Sequence, residues 1–178
     1  MYIINNSEAQ DNFQKEAARL NETPIQMYHG TSYGGGCGIV GVDGKFRISG
    51  KETSGLQTSG SMLGQGIYMA KLVGKTLPYL GNSKYSYSSY NIANQSGTTQ
   101  GYRADGCLLV CDAVLGKHYH SDISTSDAAR HNDGTYDSVS VGAGAQMGGG
   151  TLKEYECIVR RNNQVAPKYI VDCGGRVR

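Results

Sequence analysis

The sequence predicts an α+β domain built from short strands and long loops, and three features of its 178 residues lead to this expectation. Glycine accounts for 26 residues, which disfavours a helical bundle because glycine destabilises helix interiors. The chain has 13 tyrosines and no tryptophan, a composition that favours strands with polar aromatic side chains. Hydrophobic residues make up 38% of the chain, which is enough for one main core at this length.

The first predicted elements are a helix and a strand. Residues 7–21 predict a helix, because Ser7 and Gln10 form a capping box and apolar side chains recur along one helical face. Pro24 ends this element, since proline cannot continue a helix. Residues 25–29 then predict a strand.

The next segment predicts a loop followed by a hairpin. Glycines 34–36 indicate the loop. Residues 39–42 and 46–48 indicate the two strands of a hairpin that turns at Asp43 and Gly44, because Asp-Gly between apolar runs is a strong hairpin signal.

The remaining predicted elements are short and separated by polar loops. They are an apolar segment at 66–72, a helical stretch at 71–79, a surface excursion at 80–104, a buried strand at 107–115, a polar loop at 121–135, a glycine-rich stretch at 142–150 and strands at 155–160 and 168–171. No linker or internal repeat divides the chain, so we expect a single domain over residues 1–178.

Charge and cysteine usage restrict the class of protein. The formal net charge of +2 lacks the strongly basic character that is usual for nucleic-acid-binding proteins, although it leaves a local basic patch open. Five scattered cysteines indicate reduced thiols rather than a disulfide framework. There is no signal-peptide pattern and no apolar run of roughly 18 residues. We therefore expect no membrane association, and a cytoplasmic protein or one delivered into a target cytosol.

Candidate functional residues follow one another in a fixed order along the chain. Taken alone, each is more often structural, as a satisfied histidine, a core tyrosine or a solvated glutamate. In order they are His29-Gly30-Thr31 at a strand end, the GQGIYMA segment at 64–70, Lys75-Thr76, Tyr79, and Glu156 at the start of a late strand.

This ordered set resembles the signature of the poly(ADP-ribose) polymerase family of ADP-ribosyltransferases, in the His-Tyr-Glu, diphtheria-toxin-like class. That signature comprises an HG[ST] strand, a GxGIYxA segment, a [ST]xxY motif and a glutamate that opens a late strand. Tyr79 falls eleven residues after Tyr68, as in the family. The resemblance covers residues 25–172. It implies an ADP-ribosyltransferase fold, with two short, mostly antiparallel sheets that form an NAD-binding cleft and helices flanking them.

The resemblance also implies NAD+ as the substrate and assigns residues to its nicotinamide. The Gly30 backbone would bind the nicotinamide amide, and the Thr76 hydroxyl would bind the same group. Tyr68 and Tyr79 would sandwich the ring. Ala70 would leave space beside it.

Five further residues would hold the rest of the dinucleotide and support the chemistry. By resemblance, His29 would bind the adenine-side ribose and Arg47 would contact the adenosine, with Thr31 following His29 and Gly30 in the same motif. Glu156 would bind the 2′-hydroxyl of the nicotinamide ribose and stabilise positive charge on that sugar. Lys75 would lie near Glu156. These roles imply no metal.

Glu154 is a candidate for orienting the acceptor. Residues two apart in a strand point to the same face, so a strand that included both would place Glu154 beside Glu156. This arrangement is similar to that of arginine-modifying ADP-ribosyltransferases. The alternative is an exposed strand carboxylate without a role.

Three weaker signals point elsewhere. Residues 36–41 match GxGxxG, but the predicted hairpin after them does not fit a dinucleotide-binding helix. Cysteines 107 and 111 with histidines 118 and 120 have an uncommon spacing for zinc. The tyrosine-rich run at 85–90 is open to stacking on nucleobases, to binding a partner or to simple solvation.

Four functions stay open at the sequence level. The favoured one is transfer of a single ADP-ribose to a macromolecule, with protein preferred over RNA or DNA, as in a toxin or effector that an inhibitory partner protein would control. The others are poly(ADP-ribose) synthesis, NAD+ glycohydrolysis, and an inactive module that binds NAD or ADP-ribose.

Overall fold

The structure, a computed structural model, describes residues 1–40, 46, 62–80, 103–104, 106–173 and 175–176. The helices within these ranges are α1 (Ser7–Leu20), α2 (Tyr33–Val40), α3 (Val73–Thr76) and α4 (Thr125–Arg130), with 3-10 turns at Leu77–Tyr79 and Asn162–Gln164. The strands are β1 (Tyr2–Ile3), β2 (Ile25–Ser32), β3 (Ile67–Ala70), β4 (Arg103–Ala104), β5 (Gly106–Ala113), β6 (His118–Ser121), β7 (Ser138–Val141), β8 (Gln146–Met147), β9 (Gly150–Thr151), β10 (Glu156–Val159), β11 (Val165–Asp172) and β12 (Gly175–Arg176).

Eight strands form one sheet, in the order β1-β11-β5-β2-β3-β10-β7-β6. All neighbours in it are antiparallel except β6 and β7, which run parallel. Two small two-stranded sheets, β4–β12 and β8–β9, accompany it. The mixture of helices with a largely antiparallel sheet confirms the predicted α+β class.

The sheet is almost divided in the middle. Strand β2 pairs with β5 over eight consecutive residues, but it pairs with β3 only through Tyr28 and Ala70. Beyond that pair the two strands part. The result is two four-stranded halves joined at one point, which agrees with the expected pair of short sheets.

The core lies on both faces of this sheet. Strands β5 and β10 are buried along most of their length because they lie inside the sheet and are covered on each side. One apolar cluster contains Met27, Met69, Leu109 and Cys157, and a second contains Ile158 on the opposite face. The alternation of Cys157 and Ile158 follows from the two-residue period of a strand.

Helix α1 agrees with the predicted helix at 7–21, but its cap differs. Asn6 is the N-cap, and its side-chain oxygen accepts a hydrogen bond of 3.0 Å from the backbone N–H of Ala9. The expected capping box at Ser7 is therefore wrong, since an asparagine one residue earlier satisfies the free N–H. The helix ends at Asn21, which adopts a left-handed conformation with φ of 52°.

Helix α2 replaces the loop predicted at glycines 34–36 and the strand predicted from residue 39. A Cβ on Gly36 would overlap the sulfur of Cys107, and one on Gly35 would overlap the Thr31 hydroxyl. Glycine lets this helix pack directly on the sheet, so tertiary contact outweighs low helix propensity. Residues 41–45 and 47–50, which contain the predicted hairpin turn, lie outside the described residues.

Helix α4 and two strands also depart from the sequence prediction. The polar loop expected at 121–135 contains α4, which Ser124 caps by accepting a hydrogen bond of 3.0 Å from the N–H of Asp127. Strands β6 and β7 were not predicted, because the serines at 121, 138 and 140 fill buried positions where the pattern required apolar residues. Ser138 and Ser140 are fully buried and bind the ring of His118.

The other predicted strands are confirmed, with β2 and β11 longer than expected. The helical stretch expected at 71–79 is confirmed as α3 with its following 3-10 turn. Most of the predicted excursion at 80–104, including the tyrosine-rich run, lies outside the described part of the chain. Among the described helices, none has the length and apolar character that a membrane crossing requires.

Candidate active site

His29 lies where β2 and β3 part. Its Nδ1 lies 2.8 Å from the backbone carbonyl oxygen of Tyr68. Because a carbonyl only accepts, Nδ1 carries the proton and donates, which leaves Nε2 as an acceptor. Burial lowers the pKa of His29, so the ring is neutral at pH 7. The Phe46 ring packs edge-on against it, with 5.2 Å between ring centroids.

The Tyr68 hydroxyl is held from two sides. It accepts a hydrogen bond of 3.0 Å from the N–H of Leu63 and donates one of 2.9 Å to the carbonyl of Gly64. Burial raises the pKa of Tyr68 to about 12, and the negative charge of Glu156 adds to the effect. The phenol therefore stays protonated, and its ring is fixed in place.

Glu156, the first residue of β10, forms a cluster with Lys75, which is buried like Glu156, and with Tyr79, which is half-buried. Its Oε2 lies 3.4 Å from Nζ of Lys75, and the two residues are 3% and 7% exposed. The Tyr79 side chain also forms a hydrogen bond with Glu156. Burial raises the pKa of Glu156, while Lys75 and Tyr79 oppose the shift. The carboxylate is thus desolvated and held by two partners.

Helix α3 packs tightly onto β2 at Gly30. A Cβ on Gly30 would overlap the carbonyl oxygen of Thr76 and lie 3.0 Å from the Thr76 Cβ. The Thr76 hydroxyl donates a hydrogen bond of 2.7 Å to the carbonyl of Val73. Only glycine therefore fits at position 30 with α3 in this place, and α3 also carries Lys75.

The strand register shows which candidates share a face. Ala70 pairs with Tyr28 on one side and with Glu156 on the other, so these residues form one row across three strands. Alternation along the strands puts Gly30 and Tyr68 on the same face as Glu156. His29 has the opposite parity, and its ring contacts the backbone carbonyl of Tyr68 on β3.

Three predicted residues lie differently or outside the described chain. The Thr31 hydroxyl packs against Gly35 of α2, away from the Glu156 cluster. Arg47 lies outside the described residues. Glu154 precedes β10 in a bend, so the assumption that it shares a strand with Glu156 is wrong.

Glu154 nevertheless approaches the same helix as Glu156. Its Oε1 lies 3.5 Å from the position that a Cβ on Gly74 would take, and Glu156 contacts the next residue, Lys75. Although the chain bends before β10, both carboxylates therefore lie against α3, Glu154 at Gly74 and Glu156 at Lys75.

Two of the three weaker sequence signals fall largely on described residues, whereas the tyrosine-rich run at 85–90 lies outside them. The GxGxxG segment begins within α2 rather than between a strand and a helix. No group of three histidine, cysteine or acidic side chains in the described ranges is arranged to hold a metal ion. Cys107 and Cys111 are buried in β5, and His118 and His120 bind serine hydroxyls instead.

Sequence reasoning missed Asn132, which contacts the loop before Tyr68. Its Nδ2 donates hydrogen bonds of 2.9 Å to the carbonyls of Leu63 and Gln65. The residue follows α4, which was not predicted, and lies 69 positions from Leu63. The glycine at 64, which packs against this amide, was the only local signal.

Comparison with protein families gives a match over nearly the whole chain. The model of the poly(ADP-ribose) polymerase catalytic domain matches residues 1–174. The protein belongs to this family of catalytic domains, which supports ADP-ribosyltransferase activity with NAD+ as the substrate. A search of curated proteins gives no match.

Proposed function

We propose that the domain cleaves the bond between nicotinamide and ribose in NAD+ and transfers one ADP-ribose unit to a protein. The observation that carries this proposal is the buried Glu156 carboxylate, 3.4 Å from Lys75 and bound by Tyr79, beside the opening between β2 and β3. A desolvated carboxylate with fixed partners is suited to stabilising positive charge on a sugar, because its field is not screened by water.

The face beneath α3 fits the nicotinamide end of the substrate. The Gly30 backbone and the Thr76 hydroxyl are candidates to bind the carboxamide, since Gly30 allows close approach of the main chain. The rings of Tyr68 and Tyr79 would enclose the nicotinamide. Ala70 lies in the row between Tyr28 and Glu156, where its small side chain leaves room.

His29 fits a hydroxyl-bearing group. With Nδ1 donating to the Tyr68 carbonyl, Nε2 accepts a hydrogen bond and would take one from the adenine-side ribose. Thr31, whose hydroxyl packs near α2, would then lie toward the adenosine. Arg47 is proposed as a contact of the adenosine from the resemblance alone.

The proposed reaction moves one electron pair at each step. The C1′–N bond of the nicotinamide riboside breaks, and its electron pair leaves with nicotinamide as a neutral ring. Positive charge then develops on the ribose, where ionised Glu156 binds the 2′-hydroxyl and lowers the barrier. An acceptor nucleophile donates a pair to C1′ and loses its proton to water. Lys75 supports the step by favouring the ionised form of Glu156.

Glu154 supports a protein acceptor and a single transfer. Its carboxylate lies against α3 next to the Lys75–Glu156 pair. A second negative charge there attracts a cationic side chain and repels the anionic pyrophosphate of a growing ADP-ribose chain, since like charges repel in a site of low dielectric. Glu154 would thus orient the acceptor.

Labelled NAD+ distinguishes the outcomes when it is offered separately with protein lysate, total RNA and DNA. We expect discrete labelled protein bands that are lost in Glu156→Gln. In Glu154→Gln we expect weaker labelling of protein with unchanged hydrolysis of NAD+. A ladder or smear would indicate polymer synthesis, and free ADP-ribose alone would indicate glycohydrolysis. No nicotinamide release at all would overturn the proposal in favour of a binding module.

A further inference from the structure

Asn132 connects the loop before Tyr68 to the strand that carries Glu156. We propose that it is a positioning residue, which holds the Tyr68 ring against the nicotinamide; this inference rests on the proposed function. The side-chain hydrogen bonds of Asn132 go to Leu63, Gln65 and Arg160. Asn132 therefore acts on Tyr68 through these neighbours and not by direct contact.

The loop at 63–65 is held from two sides. On its inner side, the N–H of Leu63 and the carbonyl of Gly64 bind the Tyr68 hydroxyl at 3.0 and 2.9 Å. On its outer side, the Asn132 amide donates to the carbonyls of Leu63 and Gln65, both at 2.9 Å. One NH2 group thus uses both its hydrogens on the two residues that flank Gly64.

Gly64 allows the loop to approach the side-chain amide of Asn132 closely. Its φ is 86°, in the left-handed region that favours glycine. A Cβ at this position would lie 2.6 Å from Nδ2 of Asn132. Position 64 therefore has to be glycine both for its backbone conformation and for the close approach of Asn132.

Asn132 is itself anchored at both ends. Its backbone N–H donates a hydrogen bond of 3.1 Å to the carbonyl of Ala129 in α4. Its Oδ1 accepts one of 2.8 Å from Nη1 of Arg160, the residue after β10. The Arg160 backbone N–H in turn donates to the Gln164 side chain at 3.1 Å. The two Nδ2 hydrogens, Oδ1 and the backbone N–H of Asn132 all have partners, so the amide has little freedom to turn.

The geometry identifies Asn132→Asp as the sharpest substitution. Aspartate keeps the size of the side chain and an acceptor for Arg160, but it presents an acceptor where the carbonyls of Leu63 and Gln65 need a donor. The loop then moves away, and the Tyr68 hydroxyl loses its fixed partners. Arg160→Ala removes only the hydrogen bond to Oδ1 of Asn132. It should displace the 63–65 loop in the same way as Asn132→Asp, but less.

The test measures the position of the Tyr68 ring and the activity on the same purified chain of residues 1–178. In ¹³C-tyrosine NMR, the Tyr68 signal is assigned by its loss in Tyr68→Phe, and we expect it to shift in Asn132→Asp without any ligand. With NAD+, kcat/KM should fall roughly ten- to a hundredfold, the range expected for a group misplaced by about 1 Å. Inhibition by nicotinamide should weaken by a similar factor, while the affinity for ADP-ribose stays unchanged.

Asp133→Ala is the matched control on the same turn. It removes the hydrogen bond of 2.8 Å from the N–H of Thr135 to the Asp133 carboxylate but leaves the 63–65 loop alone. It should leave the Tyr68 signal and turnover as in the wild type. If Asn132→Asp fails to fold, Arg160→Ala carries the same readouts.

The outcomes separate this inference from the proposed function. An unmoved Tyr68 signal, or equal loss of nicotinamide and ADP-ribose binding, would overturn the positioning role. A shifted Tyr68 signal in a protein whose wild type releases no nicotinamide would support the contact and overturn the proposed function. A shifted signal with selective loss on the nicotinamide side supports both.

Discussion

Lys75 and Glu156 form an ion pair whose side chains are only 6% and 4% exposed, with 3.4 Å between Nζ and Oε2. Removing two charges from water costs several kcal/mol for each ion, and their attraction repays this only when the geometry is good. A buried pair is therefore weak evidence for stability. It is better explained by a site that needs a desolvated carboxylate, and this relationship supports the proposed role of Glu156.

Lys75→Met should destabilise the domain. Breaking one side of a buried pair leaves an uncompensated charge, which costs about 3–5 kcal/mol unless the remaining group becomes neutral. Urea unfolding at pH 7 should show a lower free energy of unfolding, and nicotinamide release should fall with it. The double variant Lys75→Met/Glu156→Gln should regain much of the stability and none of the activity. Equal stability of the single and double variants would contradict a coupled pair.

The activity should show an acidic limb that belongs to Glu156. Burial raises the pKa of this carboxyl, so kcat/KM should rise with pH through a value above that of an ordinary glutamate. The contribution of Glu156 to the free energy of unfolding changes with pH in the opposite sense. The folded state favours the protonated form, so this contribution is present below the ordinary glutamate pKa and is lost as pH rises through the raised one.

Comparing unfolding and turnover of the wild type with those of Glu156→Gln across this pH range isolates the effect. The free energy of unfolding of both proteins will vary with pH, because Glu16 and Asp137 also have shifted pKa values. The difference between the wild type and the glutamine variant should fall as pH rises through the raised pKa of Glu156. If kcat/KM of the wild type rose with pH at the pKa of an ordinary glutamate, burial would not be raising the pKa of Glu156.

Two substitutions of His29 should separate the role of Nδ1, which binds the Tyr68 carbonyl, from that of Nε2, which is proposed to bind NAD+. His29→Asn keeps a donor close to the position of Nδ1, so the bond to the Tyr68 carbonyl can persist, but it has no equivalent of Nε2. We expect near-normal stability with weaker NAD+ binding, by about 0.5–1.5 kcal/mol for one lost hydrogen bond. His29→Ala should lose both stability and affinity. Titration calorimetry with NAD+, alongside thermal unfolding, provides the measurement, and unchanged affinity in His29→Asn would refute the assignment of Nε2 to the ligand.

Gly30→Ala should displace α3. The added Cβ would overlap the Thr76 carbonyl, and a forced shift of this kind typically costs about 1–3 kcal/mol. Because α3 carries Lys75 and Thr76, turnover should fall as well. Gly38→Ala is the control, since a Cβ there meets nothing within 4 Å and alanine in a helix stabilises by roughly 0.5–1 kcal/mol. Thermal unfolding that ranks the two variants in the reverse order would contradict the packing described.

Apolar periodicity predicted the elements that pack through apolar side chains. Strand β5 and helix α1 follow from runs and faces visible in the sequence. Helix α2 could not be predicted this way, because close glycine contacts with Thr31 and Cys107 stabilise it. Strand β7 was missed because its buried Ser138 and Ser140 are satisfied by histidine rings on a neighbouring strand.

The same distinction applies to the candidate site, where motifs were visible in the sequence and contacts between distant segments were not. The order of motifs identified Tyr68, Lys75, Tyr79 and Glu156, and the structure brings the last three into contact, with Lys75 and Glu156 buried. Glu154 was placed on a strand by local periodicity, whereas the chain bends there. Only the glycine at 64 gave a local signal for Asn132, because the contacts of Asn132 with Leu63 and Gln65 exist only after α4 folds beside them. Contacts between distant segments are the part that a single sequence does not reveal.

The most direct test is the rate at which purified protein releases nicotinamide from NAD+, measured for the wild type and for Glu156→Gln together with their affinities for NAD+. We expect a rate roughly 10²–10³ lower in the variant, the usual loss for one preorganised electrostatic contact, with NAD+ still bound and the fold intact. A Glu156→Gln protein that releases nicotinamide as fast as the wild type would contradict the assignment of this buried carboxylate to the reaction.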